Sequence, residues 1–284
     1  MSAAVSQDFL AAYDAVLARW PAGTTTSTHA TAYGATHLIS HGPEDAPPVL
    51  LLPGGGATAT CWYATAAALG RVHRVHAVDL VGEPGRSVPG DGNPLRTADD
   101  LTAWLGTLLD ALGLRTAGLV GHSYGGWIAL RYALAAPARV DRLALLDPTN
   151  CFTGFGPRYL LRALPVLLSP TPARNDAFLR WETGGAELDP AWRDLYALAA
   201  EFPTARPVTG PRPTPAELGA LEPPTLLLLA ERSRAHGTAR VAARARAAVP
   251  HLETATVPGA THHTLPLGCP PETHDRIAAF LAPA

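Results

Sequence analysis

Apolar residues in this chain fall into short runs that alternate with stretches of helical periodicity. Residues 49–52 are apolar at every position, which is typical of a strand buried on both faces of a parallel sheet. Similar patterns predict further strands over 72–79, 117–121, 140–147, 225–230 and 252–257. The spacing of apolar residues between and after them predicts helices over 60–69, 98–112, 125–136, 239–249 and 272–281. These units predict an α/β fold, with a mostly parallel central sheet covered by helices on both faces.

The N-terminal part of the chain has a different pattern. Apolar positions at helical spacing predict a helix over 9–20, and Pro21 ends it. The threonine-rich stretch 24–31 and the segment 36–40 are both predicted to be strands. With these two included, the strand over 140–147 is the sixth in the chain.

The alternation breaks between residues 148 and 224, where no clear strand pattern occurs. This segment is rich in prolines and in large aromatic residues, and it is predicted to be mostly helical. Because ligand sites in α/β proteins form at the C-terminal ends of the parallel strands, we expect it to form a cap over the sheet. The predicted domains are a core of residues 1–147 and 225–284 and a helical cap of residues 148–224, inserted after the sixth strand. The alternative is that this segment forms a second side of the core.

Composition narrows the classes of partner. Charged residues make up 16% of the 284, and the net charge is −2, which gives no electrostatic reason to expect nucleic acid or an anionic membrane. The three cysteines are an odd number and far apart, so neither a disulfide framework nor a structural zinc site is expected. Residues 1–9 lack the features of a signal peptide, and no apolar run reaches about 20 residues. We expect a cytoplasmic protein.

The strongest local motif is Gly-His-Ser-Tyr-Gly at residues 121–125, which has Ser123 at its centre. It follows an apolar strand and precedes an amphipathic helix, the context of a nucleophile elbow. A serine at the tip of such a turn has a strained backbone, and the flanking glycines let strand and helix approach each other closely. Ser123 is therefore the candidate nucleophile.

A nucleophilic serine needs a base, and in this arrangement the base comes later in the chain. His262 lies in the loop after the last predicted strand and is the first candidate, with His263 as the alternative. An oxyanion also needs two backbone donors. The N–H groups of Gly55, in the glycine run after the first apolar strand, and of Tyr124 are the expected pair. The same glycine run does not match the patterns of a dinucleotide-binding or phosphate-binding loop.

The order and spacing of these motifs resemble the α/β-hydrolase superfamily over nearly the whole chain. Residues 79–87 look like that superfamily's Asp-x-x-Gly-x-Gly-x-Ser loop with one extra residue. Within the superfamily, the chain is similar to bacterial carboxylesterase-like members with a helical cap. The resemblance implies hydrolysis of ester-type bonds, and it implies no metal or organic cofactor.

Two positions depart from the superfamily pattern. The oxyanion loop opens with Pro53 where histidine is usual, and we expect little functional loss from that change. Ser233 stands where the superfamily usually has the acid that orients the histidine. The acid is then Asp147, at the end of the sixth strand, or Glu231, two residues before Ser233, or there is no working acid. A missing carboxylate lowers turnover about 10⁴-fold in serine proteases. The expected turnover therefore differs greatly between a site with a working acid and a site without one.

Three functions follow from these alternatives. The first is a serine hydrolase that cleaves an ester or thioester of a largely apolar small molecule through an acyl-enzyme. The second is a tailoring enzyme of secondary metabolism, such as a cyclase, lyase or lactonase, because such chemistry can tolerate a weakened triad. The third is a ligand-binding protein that has lost catalysis, against which the presence of both Ser123 and His262 argues. In each case the partner is a small molecule, and the sequence leaves its identity and the oligomeric state open.

Overall fold

A computed structural model describes residues 5–203 and 207–282, and its central layer is one sheet of nine strands. The predicted domains extend to residues 1–4, 204–206 and 283–284, which lie outside the described residues. The strands are β1 (Thr25–Thr31), β2 (Gly34–His41), β3 (Pro48–Leu52), β4 (Arg74–Val78), β5 (Val88–Pro89), β6 (Ala117–His122), β7 (Val140–Leu146), β8 (Thr225–Ala230) and β9 (Glu253–Val257).

The order of the strands brings together the chain segments that follow the C-terminal ends of β3, β6 and β7. The order is β1-β2-β4-β3-β6-β7-β8-β9, with β5 paired to β2. β1 and β2 are antiparallel to their neighbours, and all pairs from β4 to β9 are parallel. Leu52 lies opposite Gly121, and His122 lies opposite Leu146. The residues that follow β3, β6 and β7 therefore meet at the carboxyl edge of the sheet.

Helices cover both faces of this sheet, as the apolar strands require. The helices of the described residues are α1 (Gln7–Leu17), α2 (Tyr63–Leu69), α3 (Ala98–Ala111), α4 (Ser123–Ala135), α5 (Pro157–Leu168), α6 (Pro172–Glu182), α7 (Pro190–Leu198), α8 (Pro215–Gly219), α9 (Thr238–Ala248), α10 (Thr264–Gly268) and α11 (Pro271–Leu281). One apolar cluster contains Trp62 and residues of α1, α2 and α11, and the other contains Trp104 and residues of α3, α4 and α9. Strand side chains alternate between the two clusters, so both faces of the sheet are buried.

The predicted α/β fold is confirmed, with differences at the ends of elements. The first helix ends at Leu17 rather than at residue 20. Trp20 is nonetheless buried, and its indole N–H donates to the carbonyl of Thr60 at 3.0 Å. The helix predicted over 60–69 begins as a 3₁₀ turn, Ala59–Trp62. The short β5 and α10 were not predicted, because two and five residues are too few to give a periodic pattern.

Between β7 and β8 the described residues form helices α5 to α8 and no strand. They contact the rest of the chain at several places. The hydroxyl of Tyr124 donates to the carbonyl of Val208 at 2.8 Å, and the rings of Phe9 and Phe202 lie 4.8 Å apart. Among the described residues, no helix combines the length and the hydropathy that crossing a membrane requires.

Candidate active site

The turn between β6 and α4 presents Ser123 in a left-handed backbone conformation. Its φ is +52°, which non-glycine residues rarely adopt. The flanking glycines are required by contact: a Cβ on Gly121 would overlap the backbone of Gly125, and a Cβ on Gly125 would overlap the carbonyl of Leu52. The start of α4 can therefore lie this close to β6 and to the end of β3 only with glycine at these positions. The side chain of Ser123 is left at the start of α4, whose first N–H groups have no partner within the helix.

His262 reaches Ser123 from the loop after β9. Its Nε2 lies 2.9 Å from Ser123 Oγ, and the residue is 2% exposed. The backbone of this loop is held by His122, whose Nε2–H donates to the carbonyl of His262 at 2.9 Å. Burial, and then the neighbouring His262 and His263, lower the pKa of His122 well below its usual value. His122 is therefore a neutral donor next to the candidate base.

Asp147 completes a chain of three side chains. It is the first residue after β7, and its Oδ2 lies 2.6 Å from His262 Nδ1. Its φ is +42°, also left-handed, so the turn into Pro148 directs its carboxylate toward the neighbouring strand ends. The structure thus brings together Ser123, His262 and Asp147 with the hydrogen bonds that a nucleophile, a base and an orienting acid require.

Three groups besides His262 surround the Asp147 carboxylate, which is fully buried. Ser233 Oγ donates to Oδ2 at 2.6 Å, and the Ala230 N–H donates to Oδ1 at 3.1 Å. His236 Nε2 faces Oδ1 at 3.5 Å. Burial favours the neutral acid, but the hydrogen bond from His262, the charges of His236 and His262 and the Ser233 hydroxyl hold the pKa of Asp147 well below its usual value. Asp147 is therefore an ionised partner for the histidine.

The other candidate acid lies elsewhere. Glu231 is exposed, and its carboxylate accepts the N–H of Gly259 at 2.8 Å. That bond holds the turn after β9, three residues before His262. Ser233, at the usual acid position, hydrogen-bonds to the oxygen of Asp147 that faces His262. Ser233, where the superfamily usually has the acid, is thus a hydrogen-bond donor to an acid at the end of the neighbouring strand β7.

The pKa of His262 is raised above its usual value by its partner. Burial alone would lower it, because a desolvated imidazolium is unfavourable. The hydrogen bond and the charge of Asp147, with a contribution from Glu182, outweigh that effect. With Nδ1–H donated to Asp147, Nε2 is free to accept the proton of Ser123 Oγ.

The two predicted oxyanion donors lie beside Ser123. Gly55 and Tyr124 both border the cavity that contains Ser123. A Cβ on Gly55 would lie 3.8 Å from the Cβ of Tyr124, so the two backbone segments are neighbours. The loop is anchored one residue further on, where the buried Glu83 accepts the N–H of Gly56 at 2.9 Å.

His263, the alternative base, has a different partner. Its Nε2 lies 2.8 Å from Oε2 of Glu182, the last residue of α6, and Glu182 is 1% exposed. Burial raises the pKa of Glu182, and the charge and hydrogen bond of His263 more than offset this, so the pKa is lowered. The pair joins α6 to the loop that carries His262. Sequence reasoning missed Glu182, since nothing in the pattern of α6 relates it to a residue 81 positions later.

Replacing Glu182 with alanine is expected to lower the free energy of unfolding by about 3 kcal/mol or more, because it leaves one partner of a buried pair alone. Urea unfolding near neutral pH measures this, and Glu187→Ala, an exposed acid five residues further on, is the control. Because the folded-state pKa of Glu182 is lowered, the difference between wild type and Glu182→Gln is expected to shrink as the pH falls through the carboxyl range. Equal stability of Glu182→Ala and Glu187→Ala would contradict a structural role for the pair.

Two cavities flank Ser123. One, of about 250 Å³, is lined by aromatic and small residues that include Trp127, Phe155 and Tyr159. The other, of about 40 Å³, lies on the His262 side and is lined by Trp192 and Tyr196, among others. No described residue lining the larger cavity is charged.

A mostly parallel sheet with helices on both faces and a serine on the turn after a central strand is the α/β-hydrolase fold. Residues 49–280 match the sequence profile of the alpha/beta hydrolase family. The chain is 31% identical to carboxylesterase YbfK of Bacillus subtilis over 282 residues, 96% of this chain and 93% of the relative. The chain belongs to the alpha/beta hydrolase family.

Solved structures agree with this assignment. The crystal structure of the Bacillus subtilis carboxylesterase CesB (YbfK) superposes with a TM-score of 0.89 at 30% identity and covers 96% of this chain and 97% of its own. That of naproxen esterase (carboxylesterase NP) from Bacillus subtilis has a TM-score of 0.87 at 28% identity and covers 99% of this chain and 100% of its own. These similarities extend over nearly the full length of each protein.

Proposed function

We propose that this protein is a serine carboxylesterase that hydrolyses esters through an acyl-enzyme formed on Ser123. The observation that carries the proposal is the continuous hydrogen-bonded chain from Ser123 through His262 to Asp147, with distances of 2.9 and 2.6 Å. Full-length similarity to proteins named carboxylesterases supports the same reaction class.

In the proposed mechanism, His262 Nε2 takes the proton of Ser123 as Oγ attacks the ester carbonyl. The N–H groups of Gly55 and Tyr124 stabilise the oxyanion, and each such donor is worth about 10²–10³-fold in turnover. Asp147 holds His262 in the tautomer that leaves Nε2 free and stabilises the imidazolium. His262 then protonates the leaving alcohol, and a water activated by the same histidine releases the acid.

The lining of the larger cavity supports an apolar small-molecule substrate. Its side chains include Trp127, Phe155, Tyr159 and Val208, and the described lining residues carry no charge. An apolar acyl or alcohol group gains roughly 25 cal/mol for each Å² that it buries against such surfaces. No nucleic acid is proposed as a partner, given a net charge of −2.

The segment 148–224 is proposed to act as a cap over this cavity. Tyr159 of α5 and Trp192 and Tyr196 of α7 line the cavities beside Ser123, so helices of this segment contribute to the walls. The core is proposed to consist of residues 1–147 and 225–284. On this division Glu182 and His263 form a contact between cap and core.

An acyl-enzyme can be tested by partitioning. Butyrate esters of several alcohols are hydrolysed by the purified protein in the presence of methanol, and methyl butyrate and butyrate are quantified. A common intermediate on Ser123 predicts the same product ratio for every leaving alcohol. A ratio that changes with the leaving alcohol would contradict the acyl-enzyme, and absence of hydrolysis would contradict the esterase assignment.

The pH dependence of kcat/KM is expected to follow His262. The reaction needs the neutral imidazole, so activity is lost as the pH falls through the pKa of His262, and that pKa is raised above about 6.5. In Asp147→Asn the two largest interactions that raise this pKa are removed while burial remains, so the acidic limb is expected to move to lower pH. Rates on p-nitrophenyl butyrate across the pH range measure this. An acidic limb at the same pH in both proteins would contradict the assignment of the limb to His262.

The two other hypotheses have less support. The tailoring-enzyme hypothesis depended on a weakened triad, and Asp147 lies where an orienting acid is needed. The non-catalytic hypothesis does not account for the hydrogen bond between Ser123 and His262. If activity on a metabolite were retained in Asp147→Asn, that result would favour the tailoring-enzyme hypothesis.

A further inference from the structure

Helix α5 exposes a face made of leucines, which we call the leucine face. Leu161, Leu167 and Leu168 are 71%, 71% and 76% exposed, and Leu160 and Leu164 are 49% and 46% exposed. At 3.6 residues per turn these five side chains fall within an arc of about 120°. Large contiguous apolar patches are uncommon on soluble monomers and mark surfaces that contact something else.

Four arginines border α5, and we call them the arginine cluster. The guanidinium groups of Arg158, Arg162 and Arg234 lie 6.0, 5.9 and 5.3 Å from the centre of the Trp181 ring. The guanidinium group of Arg232 lies with that of Arg234 beside Gly184. All four are exposed, and none pairs with a carboxylate within residues 5–203 and 207–282. The segment 148–175 contains no Asp or Glu.

The two features lie on different sides of α5, because at 100° per residue Arg158 and Arg162 fall about 60° and 100° beyond Leu161, at one border of the leucine face. On α5 itself, Arg158 and Arg162 occupy one side of the helix, and the leucine face occupies another. A helix with apolar residues on one face and arginines beside them is typical of helices that lie in the interface of a lipid layer. Arginines without acidic partners add attraction to anionic headgroups. A symmetric contact between two copies through α5 would instead bring two arginine clusters toward each other.

The first turn of α5 and the residues just before it border the proposed substrate cavity. Phe155, just before α5, is 38% exposed and lines the cavity that contains Ser123. Its ring stacks on that of Tyr159, 5.0 Å away, which lines the same cavity. Helix α5 therefore carries the leucine face and also, at its first turn, a residue that lines the cavity containing the nucleophile.

We propose that the leucine face and the arginine cluster dock the protein on an anionic lipid surface, from which apolar esters enter the cavity at Ser123. The docking is independent of catalysis, whereas the entry of esters rests on the proposed function. The net charge of −2 gives no reason to expect such docking. The placement of charge does, because the positive side chains are concentrated beside α5.

The test is co-sedimentation of the full chain with vesicles of phosphatidylcholine mixed with phosphatidylglycerol, compared with vesicles of phosphatidylcholine alone. Wild type is expected to bind the mixed vesicles more tightly, and salt is expected to weaken that binding. Leu161→Asp with Leu168→Asp is expected to reduce the affinity at least about tenfold. Arg158→Gln with Arg162→Gln is expected to reduce it about fivefold per arginine.

Matched controls are available on the turn before β4, where Val72 is 56% exposed and Arg71 is exposed as well. Val72→Asp and Arg71→Gln are expected to bind vesicles as wild type does. The leucine, arginine, Val72→Asp and Arg71→Gln variants are expected to hydrolyse water-soluble p-nitrophenyl acetate at the wild-type rate, which would show that their fold and triad are intact. Ser123→Ala is expected to bind vesicles normally, so failure of the proposed function is distinguishable from failure of docking.

Three results would overturn the proposal. The first is no preference of wild type for the mixed vesicles. The second is equal vesicle binding by the leucine variant and by Val72→Asp. The third is a stable dimer of the wild type that is lost in the leucine variant, as measured by sedimentation equilibrium. The leucine face would then be covered by a second copy of the chain.

Discussion

Replacing Ser123 with alanine is expected to lower kcat for p-nitrophenyl butyrate about 10⁶-fold, the size of the loss when the nucleophile of a comparable serine enzyme is removed. The reason is that no other hydroxyl contacts His262 Nε2 within the described residues. What survives is the stabilisation that the oxyanion donors and substrate binding give to direct attack by water. Initial rates at saturating substrate measure the effect.

The control for this substitution is Ser169→Ala, because Ser169 is exposed at the end of α5 and outside the cavities beside Ser123. It is expected to keep the wild-type rate. Alanine at position 123 has the same left-handed backbone strain as serine, so the thermal stability of Ser123→Ala is expected to resemble that of wild type. Substantial hydrolysis by a pure Ser123→Ala sample would show that another group is the nucleophile.

Replacing Asp147 with asparagine is expected to lower kcat about 10⁴-fold, as loss of the carboxylate does in serine proteases. An amide in that place can donate to His262 Nδ1 and so favour the wrong tautomer, and it cannot stabilise the imidazolium. Ser233→Ala removes one hydrogen bond to an ionised group, worth roughly 1.5–3 kcal/mol, and is expected to have a smaller effect. Steady-state kinetics on p-nitrophenyl butyrate compare the three proteins.

Glu231→Gln is the matched control for Asp147→Asn, since it also replaces one carboxylate with an amide near the site. The Glu231 carboxylate accepts a hydrogen bond from the N–H of Gly259 rather than from His262, so kcat of Glu231→Gln is expected to stay close to that of wild type. Ser233→Asp in the Asp147→Asn background moves the carboxylate to the position usual in the superfamily, and it is expected to restore part of the activity. A larger loss in Glu231→Gln than in Asp147→Asn would identify Glu231 as the acid.

The sequence was most informative where one short motif has one structural solution. Glycines at 121 and 125 around Ser123, between an apolar strand and an amphipathic helix, can form few structures other than the observed turn. The backbone contacts that exclude a Cβ at both positions explain why. The strand pattern was equally informative, because strands buried on both faces must be apolar throughout.

The acid was harder to predict, because its role depends on the alignment of strand ends. Asp147, Glu231 and Ser233 all follow strands that end at the same edge of the sheet, and the sequence contains no measure of which side chain points at His262. The left-handed φ of Asp147 and the hydrogen bond from Ser233 decide this in the structure. Neither has a signal in the local sequence.

Contacts between distant helices and loops could not be predicted at all. Glu182 meets His263 only because α6 packs near the loop after β9. The exposure of the leucines on α5 could not be predicted either, since a periodic apolar pattern normally predicts a buried face. The aromatic and proline-rich composition of residues 148–224 predicted helices there and left open which of their faces would stay uncovered.

His262 and Asp147 are proposed to activate Ser123 as a covalent nucleophile. Reaction with a fluorophosphonate probe, followed by peptide mapping and by the rate of labelling, tests this activation most directly, because an activated serine reacts far faster than an ordinary one. One adduct is expected, on Ser123, and it is expected to form slowly in Asp147→Asn and at the wild-type rate in Glu231→Gln. No adduct, an adduct on another residue, or labelling of Ser123 at the same rate in Asp147→Asn and wild type would contradict the proposed activation.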